Sequence, residues 1–132
     1  MRSFTPIALT MALCLDASAA SAQSPLISPL TVKDMESMAG GMSCVAEAGS
    51  RTLFYDDGAA IIRVGGMLVK LNKHNMVPAS QYTAMGGALR VTFAKRPGKS
   101  VANEEGSRDP MTMTVIYRNL SQSVPVMMHC EA

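Results

Sequence analysis

The stretch Arg51-Thr52-Leu53-Phe54-Tyr55-Asp56-Asp57-Gly58-Ala59-Ala60-Ile61-Ile62-Arg63-Val64-Gly65-Gly66-Met67-Leu68-Val69-Lys70-Leu71 decides the fold class. Residues 51–55, 60–64 and 67–71 are three short runs rich in branched and aromatic side chains. Asp57-Gly58 breaks the first from the second and supplies the positive φ angles that a type I′ hairpin needs. Gly65-Gly66 turns the chain again. Three consecutive antiparallel strands follow.

Working outward, the same pattern recurs. Leu89, Val91 and Phe93 alternate with Arg90 and Thr92 in a strand reached from Tyr82 through Gly86-Gly87. Met111, Met113, Val115 and Tyr117 alternate with Thr112, Thr114 and Arg118, and the run from Val126 to Cys130 closes the domain after the turn signal Asn119-Leu120-Ser121-Gln122. Such alternation puts one face of each strand inside and the other in water. Seven or eight short strands over residues 42–132 predict an all-β fold, a small antiparallel barrel, with a sandwich as the alternative. Closure of the sheet removes the exposed edges that invite aggregation.

Two segments interrupt the pattern. Thr31 is an N-cap candidate with Asp34 at the third helical position and Gly40-Gly41 as a stop, so residues 32–39 are expected to form a short helix within a lead segment, 23–41. Residues 23–30 carry Pro25 and Pro29 and read as unstructured. Arg96 to Pro110 holds Gly, Pro, Asn, Glu and Ser without periodicity and reads as a mobile excursion.

Ahead of the lead, Arg2 precedes the apolar run Ile7 to Leu15, and Ala20-Ser21-Ala22 offers a cleavage site. This is the pattern of a secretory signal peptide over residues 1–22. Its apolar core is shorter than the roughly 20 residues of a membrane span, so no stable membrane insertion is expected after cleavage. Arg2 and Asp16 leave together, and the net charge stays at the +2 of the whole chain. The expected compartment is the periplasm or the exterior.

Composition excludes several classes. Apolar residues make up 48% and charged residues only 17%, a balance that builds a core and does not suit a disordered tail. The mild basic excess lacks Lys/Arg clusters, and with no Trp and three each of Tyr and Phe there is no stacking platform. No nucleic-acid partner is therefore expected. Nor does the chain carry a G-x-S-x-G elbow, an H-E-x-x-H, a C-x-x-C or a P-loop, and His74 and His129 are its only histidines. We read it as a non-enzymatic binding protein with no cofactor.

Cleavage removes Cys14 and leaves Cys44 and Cys130. An even pair in an exported domain favours a disulfide. A loop of that span contributes on the order of 4–5 kcal/mol in the chain-entropy view. Two free thiols or a metal pair are the alternatives. Methionine opens a further one: twelve occur, and ten remain after the leader is lost. Met127 and His129 share one face of the last strand and supply thioether and imidazole, the ligands that suit Cu(I). A periplasmic copper-binding protein is thus one alternative function, and an envelope structural component another. Met as a flexible filler of an aromatic-poor core is the simpler account of the count.

One family resemblance spans most of the domain. Met42-Ser43-Cys44 at the opening, Leu53-Phe54-Tyr55 with its turn and return strand, and the glycine turn into Leu68-Val69-Lys70-Leu71 are its first parts. Ala79-Ser80-Gln81-Tyr82-Thr83 and the closing His129-Cys130 complete it. In these features the chain resembles the periplasmic and membrane-bound inhibitors of c-type lysozyme, small exported barrels with a cysteine pair on the first and last strands. The resemblance implies c-type lysozyme as the partner. It also implies that Ser80, Tyr82 and Lys95 are the residues that enter the lysozyme cleft.

Overall fold

The structure is a computed structural model that describes residues 25–38, 44–74 and 80–131, with the side chains of His74 and Ser80 outside the description. The expected signal peptide, the Gly40-Gly41 stop and Met42-Ser43 lie outside the described residues. Ten strands follow one another: β1 (Ile27–Ser28), β2 (Cys44–Ala48), β3 (Arg51–Asp56), β4 (Ala60–Val64), β5 (Met67–His74), β6 (Ser80–Ala84), β7 (Leu89–Lys95), β8 (Val101–Asn103), β9 (Gly106–Tyr117) and β10 (Leu120–Glu131). One short helix, α1 (Val32–Glu36), lies between β1 and β2.

Eight of these strands close into an antiparallel barrel in the order β4-β3-β2-β10-β9-β7-β6-β5, with the β4–β5 pairing completing the ring. The all-β barrel expected from the turn signals is the fold. Cys44 and Cys130 stand directly opposite each other on β2 and β10 and form the disulfide between the first and last barrel strands. Alternation fills the interior: Val124, Val126 and Met128 of β10 and Met113 and Val115 of β9 point in, with Phe54, Ile62, Leu89 and Val91 from the other side. An eight-stranded barrel has just enough room for side chains to fill it.

The interior also holds the only cluster of rings among the described residues. Phe54, Tyr82 and Phe93 meet edge to face with centroids 4.8–6.1 Å apart, the arrangement that the ring quadrupole favours. Leu53 and Phe54 are both buried although they are neighbours on one strand. The register shift opposite Ala46–Glu47 makes Leu53 the extra residue of a β-bulge, which turns both side chains inward.

Three expectations are corrected. Residues 23–30 are not wholly unstructured, because Ile27–Ser28 pairs with Val64 and Arg63 as β1, and the Ile27 N–H donates to Gln122 Oε1 at 2.9 Å. The helix starts where its cap predicts, with the Thr31–Asp34 capping box complete, but ends at Glu36, where the Ser37 hydroxyl takes the Asp34 carbonyl. The 96–110 excursion is largely a hairpin. β8 adds to the edge of β9 beyond the end of β7, and β9 pairs with β10 over its full twelve residues. Its polar composition hid it, since its outer face and edge meet water.

On the outside of the barrel, Val45 and Ile61 are buried although they lie apart from the interior cluster. The N-terminal segment crosses this face. The Leu30 N–H donates to the Thr52 carbonyl at 2.8 Å, and Arg63 on β4 holds Asp34 of α1 through Nε and Nη2 at 2.7 and 2.8 Å. Among the described residues no helix is long and apolar enough to cross a membrane.

Candidate functional site

Antiparallel order sends successive turns to alternate ends of the barrel. One end collects the β3–β4 turn, the close of β5, the start of β6, the close of β7, the β8–β9 hairpin and the disulfide. We call it the loop end. All three residues of the expected lysozyme-binding set belong to strands that finish or begin here.

Lys95 is the last residue of β7. Its ammonium is largely exposed, 3.1 Å from the Ser100 hydroxyl and 3.5 Å from Asp109 on β9. An exposed pair of this kind holds a lysine weakly, with a typical net contribution of about 0–1 kcal/mol. Ser80 opens β6 and is the register partner of Phe93, two residues before Lys95. Strand rise and spacing therefore set the two backbones about 8 Å apart. Pro78 and Ala79, just ahead of Ser80, lie outside the described residues.

Tyr82 is placed differently from its neighbours in that set. Its ring is only 4% exposed, inside the barrel, and its hydroxyl donates to Asp56 Oδ2 at 3.1 Å. Burial first, and the Asp56 charge second, push that hydroxyl well above the usual tyrosine range, so it remains a donor. Asp56 in turn accepts the Gly58 N–H on Oδ1 at 2.8 Å and lies 3.4 Å from Lys73 Nζ. Tyr82 thus ties β6 to β3 and to the β3–β4 turn beneath the loop end.

Taken alone, Asp56 beside Asp57-Gly58 reads as a turn residue. It is one, through the Gly58 contact, but it is also a buried acceptor shared by two further strands. Arg96, ahead of Pro97, reads by itself as a solvated strand end. Its guanidinium instead donates to the Met111 carbonyl at 2.8 Å and the Val126 carbonyl at 3.1 Å, pinning the exit of β7 to β9 and β10. The Arg96-Pro97 step gave no local signal for either contact, because both partners are distant in sequence.

The outer wall of the same end carries a cleft of about 260 Å³ lined by Val101, Asn103, Glu105, Gly106, Arg108 and His129. Arg108 and His129 face each other across the β9–β10 pairing. Met127 and His129 share the outward face of β10, as alternation requires. Their register neighbours are Glu47 and Val45 on β2, and Pro110 and Arg108 on β9. None of these is a thioether or imidazole, and the Arg108 cation stands beside His129. Among the described residues no three His, Cys, Asp or Glu side chains gather into a metal-binding group.

No protein-family model, curated protein or solved structure matches the chain.

Proposed function

We propose that this chain is an exported, non-enzymatic binding protein that inhibits c-type lysozyme by presenting the loop end of its barrel to the active-site cleft. One observation carries the reading: Ser80 and Lys95 stand on adjacent strands at the same end of a closed, disulfide-tied barrel. The closed ring of strands sets the backbones of these two residues about 8 Å apart, and pre-organisation of that kind favours affinity.

The chemistry fits a cleft that works with two carboxyl groups about 5 Å apart, one ionised and one protonated. The Lys95 ammonium suits the ionised group and the Ser80 hydroxyl suits the other. Lys95 leaves only weak partners behind when it does so. In this reading Tyr82 acts from inside, holding the start of β6 through Asp56, and makes no contact of its own with the enzyme.

A cell-wall lysis assay with a c-type lysozyme, titrated with the purified disulfide-bonded protein, tests this. Stoichiometric inhibition is expected. A charged hydrogen bond to a desolvated carboxylate is worth about 1.5–3 kcal/mol, so Lys95→Ala should raise the inhibition constant roughly 10- to 150-fold. Lys99→Ala, a few residues on in the same excursion, should leave it unchanged. Full lysis at a tenfold excess of inhibitor would rule the reading out.

A further inference from the structure

The end of the barrel opposite the loop end is built differently. It gathers the turns at residues 49–50, 65–66, 85–88 and 118–119, together with the start of the N-terminal segment, whose Leu26 carbonyl accepts the Gly65 N–H and whose Ile27 N–H donates to Gln122. Three of the turns lift large apolar side chains into water: Met67 is 45% exposed, Leu68 40%, Met85 43% and Leu120 54%. Exposed single apolar residues are ordinary, but several concentrated on one end of a small domain mark a contact surface.

Charge is concentrated there as well. Residues 47–53, 62–69, 83–90 and 115–122 contain four arginines, Arg51, Arg63, Arg90 and Arg118, and one carboxylate, Glu47. Asp34 of α1 neutralises Arg63. This end therefore carries a positive excess as large as the +2 net charge of the entire chain. The molecule is electrically lopsided.

Two of the four turns also hold residues other than glycine in the left-handed region, Met85 and Arg118, each at φ 57°. That conformation is unfavourable for any residue with a Cβ. Glycine at 85 would relieve it. The turn instead keeps a long thioether projecting from the barrel beside Gly86, and the other keeps a guanidinium.

We infer that this end is a docking surface for an anionic lipid bilayer. Its exposed apolar side chains belong to three separate turns, Met67 and Leu68 to one, Met85 and Leu120 to the others, with arginines interspersed among them. Apolar side chains dispersed among cations match a layer that is apolar within and anionic at its surface. Leucine and methionine are flexible enough to enter the boundary between headgroups and acyl chains. With Arg63 held by Asp34, Arg51, Arg90 and Arg118 are left to reach the anionic headgroups, and each basic residue near such a surface changes affinity roughly fivefold. A second copy of the chain docked end to end would bring the same cations together, so self-association here is opposed. This inference does not depend on lysozyme binding, which uses the other end.

The test is co-sedimentation of the disulfide-bonded protein with phosphatidylcholine vesicles, with and without about one-third phosphatidylglycerol. Binding is expected to the anionic vesicles alone and to fall off at high salt, which screens exposed charges. Arg90→Gln and Arg118→Gln should each weaken it roughly fivefold. Met67→Ser, Met85→Ser and Leu120→Ser combined should weaken it about tenfold or more. Lys95→Gln, at the loop end, should not matter. All these positions are exposed, and circular dichroism checks that each variant is folded. The inference is overturned if the protein stays in the supernatant with anionic vesicles, or if Lys95→Gln weakens binding as much as the arginine variants. It is equally overturned if immobilised polyglutamate captures the protein while vesicles do not, since the surface would then read an acidic protein.

Discussion

Asp34 lies on the outside of the barrel and is nevertheless almost wholly enclosed. The two guanidinium hydrogen bonds from Arg63 come first, and the Thr31 backbone N–H second, in holding its carboxyl well below the usual carboxylate range. An unfolded aspartate titrates near 4. Because the folded value is the lower one, the charge contributes stability above about pH 4 and loses that contribution as pH falls toward the folded value. Asp34→Asn keeps the shape and removes the charge. The melting temperature of the variant should therefore lie below the parent by a constant gap above about pH 5, and the gap should narrow steadily as pH falls below about 4. Thermal melts across that range check it; a gap independent of pH would contradict the ion-pair account. Only half of this residue was legible in the sequence. The cap position of Asp34 follows from local spacing with Thr31, whereas its pairing with Arg63 spans 29 residues and has no local signature. Tyr82 and Asp56 repeat the lesson. The spacing in Ala79-Ser80-Gln81-Tyr82-Thr83 marks a strand, but which face of it turns inward depends on the closed ring.

At the scale of elements, the strands between Arg51 and Leu71 were legible because each ends in a turn whose glycines leave little choice. The bulge at Leu53 was not, since an extra residue changes the register without changing the composition. The β8–β9 hairpin was hidden for another reason. Val101, Ala102 and Asn103 are exposed throughout, and Glu104-Glu105 forms its turn, with the Glu105 N–H on Asn103 Oδ1 at 2.9 Å. What fixes the hairpin is Gly106, at φ 143°, where a Cβ would land on the Cys130 carbonyl oxygen and press on Glu131 Cα. Both contacts are backbone and cannot swing aside. Gly106→Ala should accordingly destabilise the protein by about 1–3 kcal/mol, the usual cost of forced backbone strain. Gly58→Ala, at a left-handed position with open space around it, isolates the conformational part of that cost and should lose less. Denaturant unfolding of both variants makes the comparison. Equal losses would mean that the close approach at Gly106 is relieved elsewhere.

For the whole molecule, closure of the barrel has a functional consequence. With β4 paired to β5 and Cys44 bonded to Cys130, chemistry is left to the two ends and the outer wall. The ends differ in kind. One carries Lys95, the start of β6 at Ser80 and a polar cleft around Arg108 and His129; the other shows exposed Met, Leu and Arg on tight turns. In the sequence, Ser80, Tyr82 and Lys95 of the first end are singled out only as an expectation, and their placement at one end comes from the strand order. The second was invisible in the sequence, because Met67, Met85, Arg90 and Leu120 are scattered along the chain and meet only when the strands alternate direction. The most direct test of this division is amide chemical-shift mapping of the isotope-labelled, disulfide-bonded protein. The protein would be titrated with c-type lysozyme in one series and with anionic bicelles in another. The account predicts that lysozyme shifts residues 57–59, Ser80 and 95–100 while leaving 65–68, 85–88 and 118–120 in place, and that bicelles do the reverse. Perturbation of a single shared end by both, or no perturbation by lysozyme at saturating concentration, would contradict it.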